Sequence, residues 1–400
     1  MEEVGLAVEL NSLLVIMAVA VVVPLLIRFL RLPIAEVVLL ILAGVLFGPE
    51  ALDLITVDAA IDLIGQLGLG FLFFLAGFEL DRRVLRGQIG RISALAWGVS
   101  LVAAILASLG LTALGAVDET IGFAIVLTST ALGTLLPVFR DNGELTTPFG
   151  RLFMGAGAWG EFGPIVAISL FLSTRNAFAA VISLLAFALV AFVFSHVPGL
   201  IKSRYLNEYL VGSVNTSSQT AVRVTVLLLV ALLALAEGFG LDIVMGAFIA
   251  GVILRRYLPE AEESVLQSKI EGIAFGLFIP AFFILSGVGL DVASIVDNPW
   301  PMLVVFALLL VIRGLPTFFL YRGVLPEIRE RTRFTLYVST ALPIIVAVTS
   351  VQVSAGLMST NDAAELVAAG TLSVMVFPLI AQLLRRRKDD HAEDRDPATA

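Results

Sequence analysis

Apolar stretches long enough to cross a bilayer recur from one end of this 400-residue chain to the other. A membrane-crossing helix needs about 20 apolar residues, with a working range of roughly 17 to 25. On that measure thirteen segments stand out, at roughly 8–28, 33–48, 60–79, 92–115, 119–139, 149–172, 177–201, 221–239, 241–255, 271–290, 300–321, 332–353 and 363–384, the second and ninth being short. Inside lipid every backbone amide and carbonyl must be satisfied within the chain, so segments of this kind cross as helices. Composition points the same way: 59% of residues are hydrophobic, mean hydropathy is +1.01 and only 14% are charged, against about 25% in a soluble domain. The expectation is an all-α polytopic membrane protein.

The connections alternate in charge. Odd-numbered ones carry Arg28 and Arg31; Arg82, Arg83 and Arg86; Arg140; Lys202 and Arg204; Arg255, Arg256 and Lys269; and Arg322, Arg329, Arg331 and Arg333, with Arg385, Arg386, Arg387 and Lys388 after the last span. Even-numbered ones carry Glu50, Asp53 and Asp58; Asp118 and Glu119; Asp242; Asp291 and Asp297; and Asp362 and Glu365, with Arg175 as the exception. Basic loops stay on the cytoplasmic side, which puts the N-terminus outside and the C-terminus in the cytoplasm of a plasma (inner) membrane. Met1-Glu2-Glu3 has no basic region ahead of the first span, so it does not read as a signal peptide. The outer face is acidic and concentrates cations within about 8–10 Å.

The chain also repeats itself. Phe73-Phe74-Leu75-Ala76-Gly77 recurs as Phe283-Ile284-Leu285-Ser286-Gly287, and Ser129-Thr130-Ala131-Leu132 as Ser339-Thr340-Ala341-Leu342, both at a shift of 210. Ala43-Gly44-Val45-Leu46 recurs as Ala250-Gly251-Val252-Ile253 at 207. A move of seven spans is odd, so the two copies have opposite topology, as in secondary transporters whose site lies at the midplane between inverted repeats. The division expected is residues 1–176 for the first repeat, 177–220 for a linker helix and loop, 221–384 for the second repeat and 385–400 for a short charged tail. The two Ser-Thr-Ala-Leu segments fall mid-span and gather the hydroxyls of Thr128, Ser129, Thr130, Ser339 and Thr340 beside Gly133 or Pro343. Paired breaks at matching depth point to a transport site; the competing reading is that these hydroxyls bond back to their own helix or join neighbours.

Level with those breaks lies Glu161, among four glycines and a proline in Met154-Gly155-Ala156-Gly157-Ala158-Trp159-Gly160-Glu161-Phe162-Gly163-Pro164. An ionisable group at that depth is expensive and marks a functional site by default. Its repeat mate is Thr371, so the acid exists in one copy only. A buried carboxyl holds a proton or, once deprotonated, a cation, but not both, and that competition is itself exchange. Arg313, in the eleventh span, is the candidate counter-charge: a structural ion-pair partner, or a charge displaced when the ion binds. His196, Glu36, Glu79, Glu237 and Asp242 lie at span ends and read as interfacial or packing groups.

The chain has no Cys, which excludes a thiolate metal site, and with two His, one of them in the polar tail, a histidine-built metal centre is not expected. No Gly-x-Ser-x-Gly, His-Glu-x-x-His, P-loop or second midplane acid is present. No enzyme activity, cofactor or nucleic-acid partner is expected.

Pro33 with Gly44-Val45-Leu46-Phe47-Gly48-Pro49, the Phe73–Leu80 segment, Gly246-Ala247-Phe248-Ile249-Ala250-Gly251, and Pro280-Ala281-Phe282-Phe283 with Gly287 resemble the monovalent cation/proton antiporters of the sodium/hydrogen exchanger superfamily, most strongly its NapA-like and Kef-type branch. The resemblance runs to about Leu384. It implies a thirteen-helix homodimer with crossed broken helices, an elevator-like alternating-access core, exchange of Na+ or K+ for H+, and a part in pH homeostasis. By motif position, Glu161 matches the ion-binding acid, Thr128, Ser129 and Thr130 the first broken helix, Ser339 and Thr340 the second, and Arg313 the basic position. The departure is Gly160-Glu161, where such proteins place a polar residue followed by Asp. A single acid implies one proton per cation and electroneutral exchange. A rival use of the same scaffold is transport of another solute, such as an organic anion, facing Arg313.

Overall fold

The computed structural model describes residues 2–30, 35–79, 87–115, 117, 120–171, 177–194, 219–257, 260–290 and 292–385. His196, Arg31, Arg82, Arg83, Arg86, Asp118, Glu119, Arg175, Lys202, Arg204, Asp291 and the tail from Arg386 lie outside them.

The described residues are nearly all helical. Helix falls on each of the thirteen apolar segments: α1 (Glu2–Leu30), α2 (Glu36–Phe47), α3 (Ala59–Glu79), α4 (Gln88–Ala113), α5 (Thr120–Leu127) and α6 (Leu132–Asp141) sharing one segment, α7 (Pro148–Phe171), α8 (Ala177–Phe194), α9 (Thr220–Gly238) and α10 (Ile243–Tyr257). Then come α11 (Glu260–Ile273) and α12 (Ile279–Val288), α13 (Val292–Asp297), α14 (Trp300–Leu308) and α15 (Leu315–Leu320), α16 (Ile328–Val338) and α17 (Pro343–Ser354), and α18 (Thr360–Leu383). Among the described residues, eight helical stretches are long and apolar enough to cross a membrane, and α2, α5–α6 and α8 provide shorter apolar helix. The chain is a multi-pass membrane protein.

Two wide turns leave no mark in the hydropathy pattern. Ala274–Phe278 joins α11 to α12 and Leu309–Gly314 joins α14 to α15, both as π-helix. Pro280 and Pro316 follow closely and lack the amide hydrogen that would bond back to residues 276 and 312, so the ladder widens where the partner is missing. The second wide turn carries Arg313.

Glycines set how closely the helices approach. A Cβ on Gly44 of α2 would fall on the Ile284 carbonyl of α12, and one on Gly287 of α12 on the Ile41 carbonyl of α2. The same reciprocity joins α3 and α10: a Cβ on Gly77 would strike the Phe248 carbonyl, and one on Gly251 the Phe74 carbonyl. These are the glycines that the repeat matches, Gly44 with Gly251 and Gly77 with Gly287. The end of α3 is satisfied from across this contact, Arg255 Nη1 donating to the Phe78 carbonyl at 2.8 Å. Backbone-to-backbone packing through small residues is the usual means of helix association in lipid.

Gly251→Val is expected to force α3 and α10 apart, at a cost of about 1–3 kcal/mol or more. A fall in the thermal midpoint of the detergent-purified protein, read against Gly272→Val, where a Cβ meets nothing within 4 Å, checks it.

Candidate ion-binding site

Two helices are broken at the same place in the structure. α5 stops at Leu127 and α6 begins at Leu132; α16 stops at Val338 and α17 begins at Pro343. The two irregular segments meet. Ala131 N donates to the Thr340 carbonyl at 2.7 Å, and Thr130 Oγ1 donates to the Val338 carbonyl at 2.7 Å. Ser373 of α18 staples the second break: its hydroxyl accepts from Ala341 N at 3.0 Å, and its single proton faces both the Ala341 carbonyl at 2.9 Å and the Gly370 carbonyl of its own helix at 2.7 Å. Thr371, the repeat mate of Glu161, instead donates to the Val367 carbonyl of its own helix. Ser373, two residues on, is the neighbour of the second break that the shift of 210 did not point to.

α7 brings the acid to this crossing. Pro164 has no amide hydrogen, which removes the helical bond to the Gly160 carbonyl. That carbonyl accepts from Thr130 N instead, at 3.0 Å. The next residue is Glu161, whose side chain is 3% exposed. Its Oε1 accepts from Gly133 N, in the first turn of α6, at 3.1 Å. The carboxylate therefore faces the N-terminus of a half-helix, where free amides and the helix dipole favour negative charge. Glu161 Oε2 has no hydrogen-bond partner among the described residues.

Arg313 is 1% exposed. Its Nε donates to Thr130 Oγ1 at 3.1 Å and its Nη2 to the Ala156 carbonyl at 2.9 Å. Nη1 has no partner among the described residues. The direct ion pair with Glu161 weighed above is not formed; each charge is held by other groups. Gly160 explains the arrangement. A Cβ there would collide with Thr130 and come within 3.0 Å of Arg313 Nη2. The guanidinium and the threonine fill the space that a side chain at position 160 would take.

The hydroxyls have separate tasks. Thr130 Oγ1 both donates and accepts, so it joins α14–α15, α16 and α5–α6. Thr128 and Ser129 donate to the Ile125 and Val126 carbonyls, and Thr340 to the Leu336 carbonyl, at 2.9, 2.7 and 3.1 Å. Each keeps oxygen lone pairs for a further ligand. Ser339 Oγ, fully buried, has no hydrogen-bond partner among the described residues. One carboxylate oxygen, one free hydroxyl and nearby carbonyls are hard oxygen donors suited to an alkali cation.

The remaining candidates lie elsewhere. Asp242 Oδ1 caps α10 by accepting from Val244 N at 2.8 Å. Glu36 opens α2, Glu79 closes α3, and Glu237 lies in the exposed last turn of α9.

A family described as the transmembrane sodium/hydrogen exchanger matches residues 17–385. The glutathione-regulated potassium-efflux system protein KefC of Klebsiella pneumoniae is 28% identical over 398 residues, covering 97% of this chain and 62% of its own length. YjbQ of Bacillus subtilis, provisionally named a Na+/H+ antiporter, is 22% identical over 406 residues, covering 96% of this chain and 64% of its own length. This chain thus spans somewhat under two thirds of these relatives. Among solved structures, the sodium proton antiporter MjNhaP1 of Methanocaldococcus jannaschii at pH 8 superposes with a TM-score of 0.65 at 17% identity, covering 94% of this chain and 96% of that one. That likeness gives the fold: an all-α antiporter fold.

Thr130→Val keeps the shape but strands the Val338 carbonyl and Arg313 Nε in a buried place. A loss of about 1–3 kcal/mol is expected, read as a lower thermal midpoint in detergent, with Thr130→Ser close to wild type.

Proposed function

The chain belongs to the transmembrane sodium/hydrogen exchanger family, and from that premise we propose that it exchanges a monovalent cation, Na+ or K+, for a proton across a membrane. The observation that carries this reading is Glu161: one buried carboxylate with one unpartnered oxygen, at the crossing of two broken helices. Deprotonated, it binds the cation with help from Ser339 and from the lone pairs of Thr128, Ser129 and Thr340. Protonated, it releases it. The names of the relatives, which speak of sodium, potassium and protons, fit the hard oxygen donors of this site.

The stoichiometry follows from the single acid. Cation-bound Glu161 and protonated Glu161 carry the same charge, so one cation for one proton moves no net charge. Thr130 and Arg313, which occupy the space beside Gly160, leave no room for a second acid there. Arg313 acts as a fixed positive neighbour of the site and as a tie between α14–α15, α5–α6 and α7. The rival in which Arg313 faces an organic anion has less support, because two of its donors are already engaged by the protein.

The architecture of this reading is a pair of inverted repeats, 1–176 and 221–384, joined by the 177–220 linker and followed by the 385–400 tail. Thirteen spans cross the plasma (inner) membrane of a homodimer, with the N-terminus outside. The glycine pairs Gly44–Gly287 and Gly77–Gly251 support the repeat, since matched residues make matched contacts. Access alternates as the broken-helix core moves, elevator-like, past the other helices.

Proteoliposomes loaded with a pH gradient and challenged with Na+, K+ and Li+ in turn test the proposal. Glu161→Gln is expected to abolish cation-driven proton flux; flux surviving in that variant sinks the mechanism. Wild-type turnover is expected to be indifferent to an imposed membrane potential, and a clear dependence sinks the one-for-one stoichiometry.

A further inference from the structure

A cavity of about 250 Å³ opens between α3, α12, α17 and α18, away from Glu161. Each helix lines it with residues at helical spacing, so the walls are four matched faces. α3 contributes Asp62, Gln66 and Leu69. The hydroxyl-bearing Ser286, Ser350 and Thr360 come from the other three. Asp62 is the one charged residue among those lining the cavity. It is exposed, and its carboxylate makes no hydrogen bond or ion pair among the described residues. Nor does it cap α3, since Asp58 Oδ1 already accepts from Ala60 N and Ile61 N, both at 2.9 Å.

The cavity leads toward the site. Val346, on its wall, donates its amide to the Leu342 carbonyl at 3.0 Å and so lies one turn beyond the second break. Along α3 the face that begins with Asp62 continues through Leu69 to Leu72. Leu72 Cδ1 lies 3.9 Å from where a Cβ on Gly133 would stand, and Gly133 N holds Glu161. Asp62 and Leu72 are ten residues apart, about 15 Å along the helix. A carboxylate at the mouth, hydroxyls in the walls and an apolar layer at the floor thus precede the buried acid. At the opposite end of the molecule, near Glu79, Arg140 of α6 and Glu271 of α11 form an ionic contact of 3.6 Å.

We propose that Asp62 is the capture group of a vestibule that receives a hydrated monovalent cation before it sheds water and passes to Glu161. The inference rests on the exchange reading above. The cavity has room for several waters at about 30 Å³ each, so the ion enters with its shell. Asp62 supplies attraction without tight ligation, because an open carboxylate in water is a weak site. The leucine layer beyond makes desolvation coincide with arrival at the oxygen donors of the break.

The test measures cation-dependent proton flux in membrane vesicles of both orientations, with Asp62→Asn and Asp62→Lys. With the Asp62 side facing the added Na+ or K+, Asp62→Asn should raise KM about two- to fivefold and Asp62→Lys about tenfold, maximal rate being retained. In the opposite orientation neither should move KM. Raising ionic strength with a large organic cation should raise the wild-type KM on that side and leave that of Asp62→Asn nearly flat. An unchanged KM in both orientations, or an equal change in both, overturns the vestibule. A wild-type protein with no cation-driven flux overturns the exchange reading instead, and this inference with it.

Discussion

A helix that breaks at membrane depth leaves amides and carbonyls that lipid cannot satisfy. The site depends on how that problem is solved. One break would need a polar partner from outside the helix. Two breaks that cross supply partners to each other, as Ala131 N does for the Thr340 carbonyl and Thr130 Oγ1 for the Val338 carbonyl. Ser373 completes the second segment. The crossing therefore requires two irregular segments at one depth, brought face to face by helices that can approach closely. The reciprocal glycine contacts of α2 with α12 and of α3 with α10 provide that approach among the neighbouring helices.

The same logic fixes the acid. Pro164 frees the Gly160 carbonyl, and that carbonyl holds Thr130 N. The bond ties α7 to the first break one residue before Glu161. Thr130 then carries Arg313, so a proline, a glycine, a threonine and an arginine form one connected unit. Within it the two buried charges are held separately, Glu161 by the start of α6 and Arg313 by Thr130 and Ala156. Breaking a buried ion pair strands a charge and costs about 3–5 kcal/mol. Here a change in the charge state of Glu161 breaks no such pair, as the proposed trade of a proton for a cation requires.

Much of this was legible in the sequence, for identifiable reasons. The segments were long and apolar enough to declare themselves, and α1–α10 and α14–α18 begin or end within a few residues of the expected limits. The breaks were legible because hydroxyls cluster there beside Gly133 and Pro343. Glu161 stood out because a lone acid at that depth is costly, and the structure buries it at the crossing. What stayed hidden depends on contacts between distant segments. Hydropathy began the tenth span near 271, whereas polar α11 extends the same helix back to Glu260. The separation of Arg313 from Glu161 could not be read, because depth places residues in a layer and does not pair them. Thr130 read as one hydroxyl among several, although it is the joint on which three elements meet. Its neighbour Gly160 looked like a missing side chain, whereas that space is filled by Thr130 and Arg313.

The length of the acid completes the argument. For the exchange proposed above, a carboxylate at position 161 has to satisfy one oxygen on the protein and leave the other for the ion, or its charge would be either fully sequestered or fully stranded. Gly133 N, at 3.1 Å from Oε1, achieves the first, and the unpartnered Oε2 the second. The half-helix α6 begins directly against α7, a Cβ on Gly157 falling 2.8 Å from Leu132 Cδ1, and Glu161, one turn further along α7, reaches the Gly133 amide of α6. Glutamate has one more methylene than aspartate, and that methylene supplies the reach. An aspartate here would have one methylene less with which to reach the Gly133 amide. With Gly160 backed by Thr130 and Arg313, a polar side chain at position 160 has no room. The glycine and the longer acid thus belong together: one admits the arginine and the threonine, and the other reaches the helix end whose amides favour its charge.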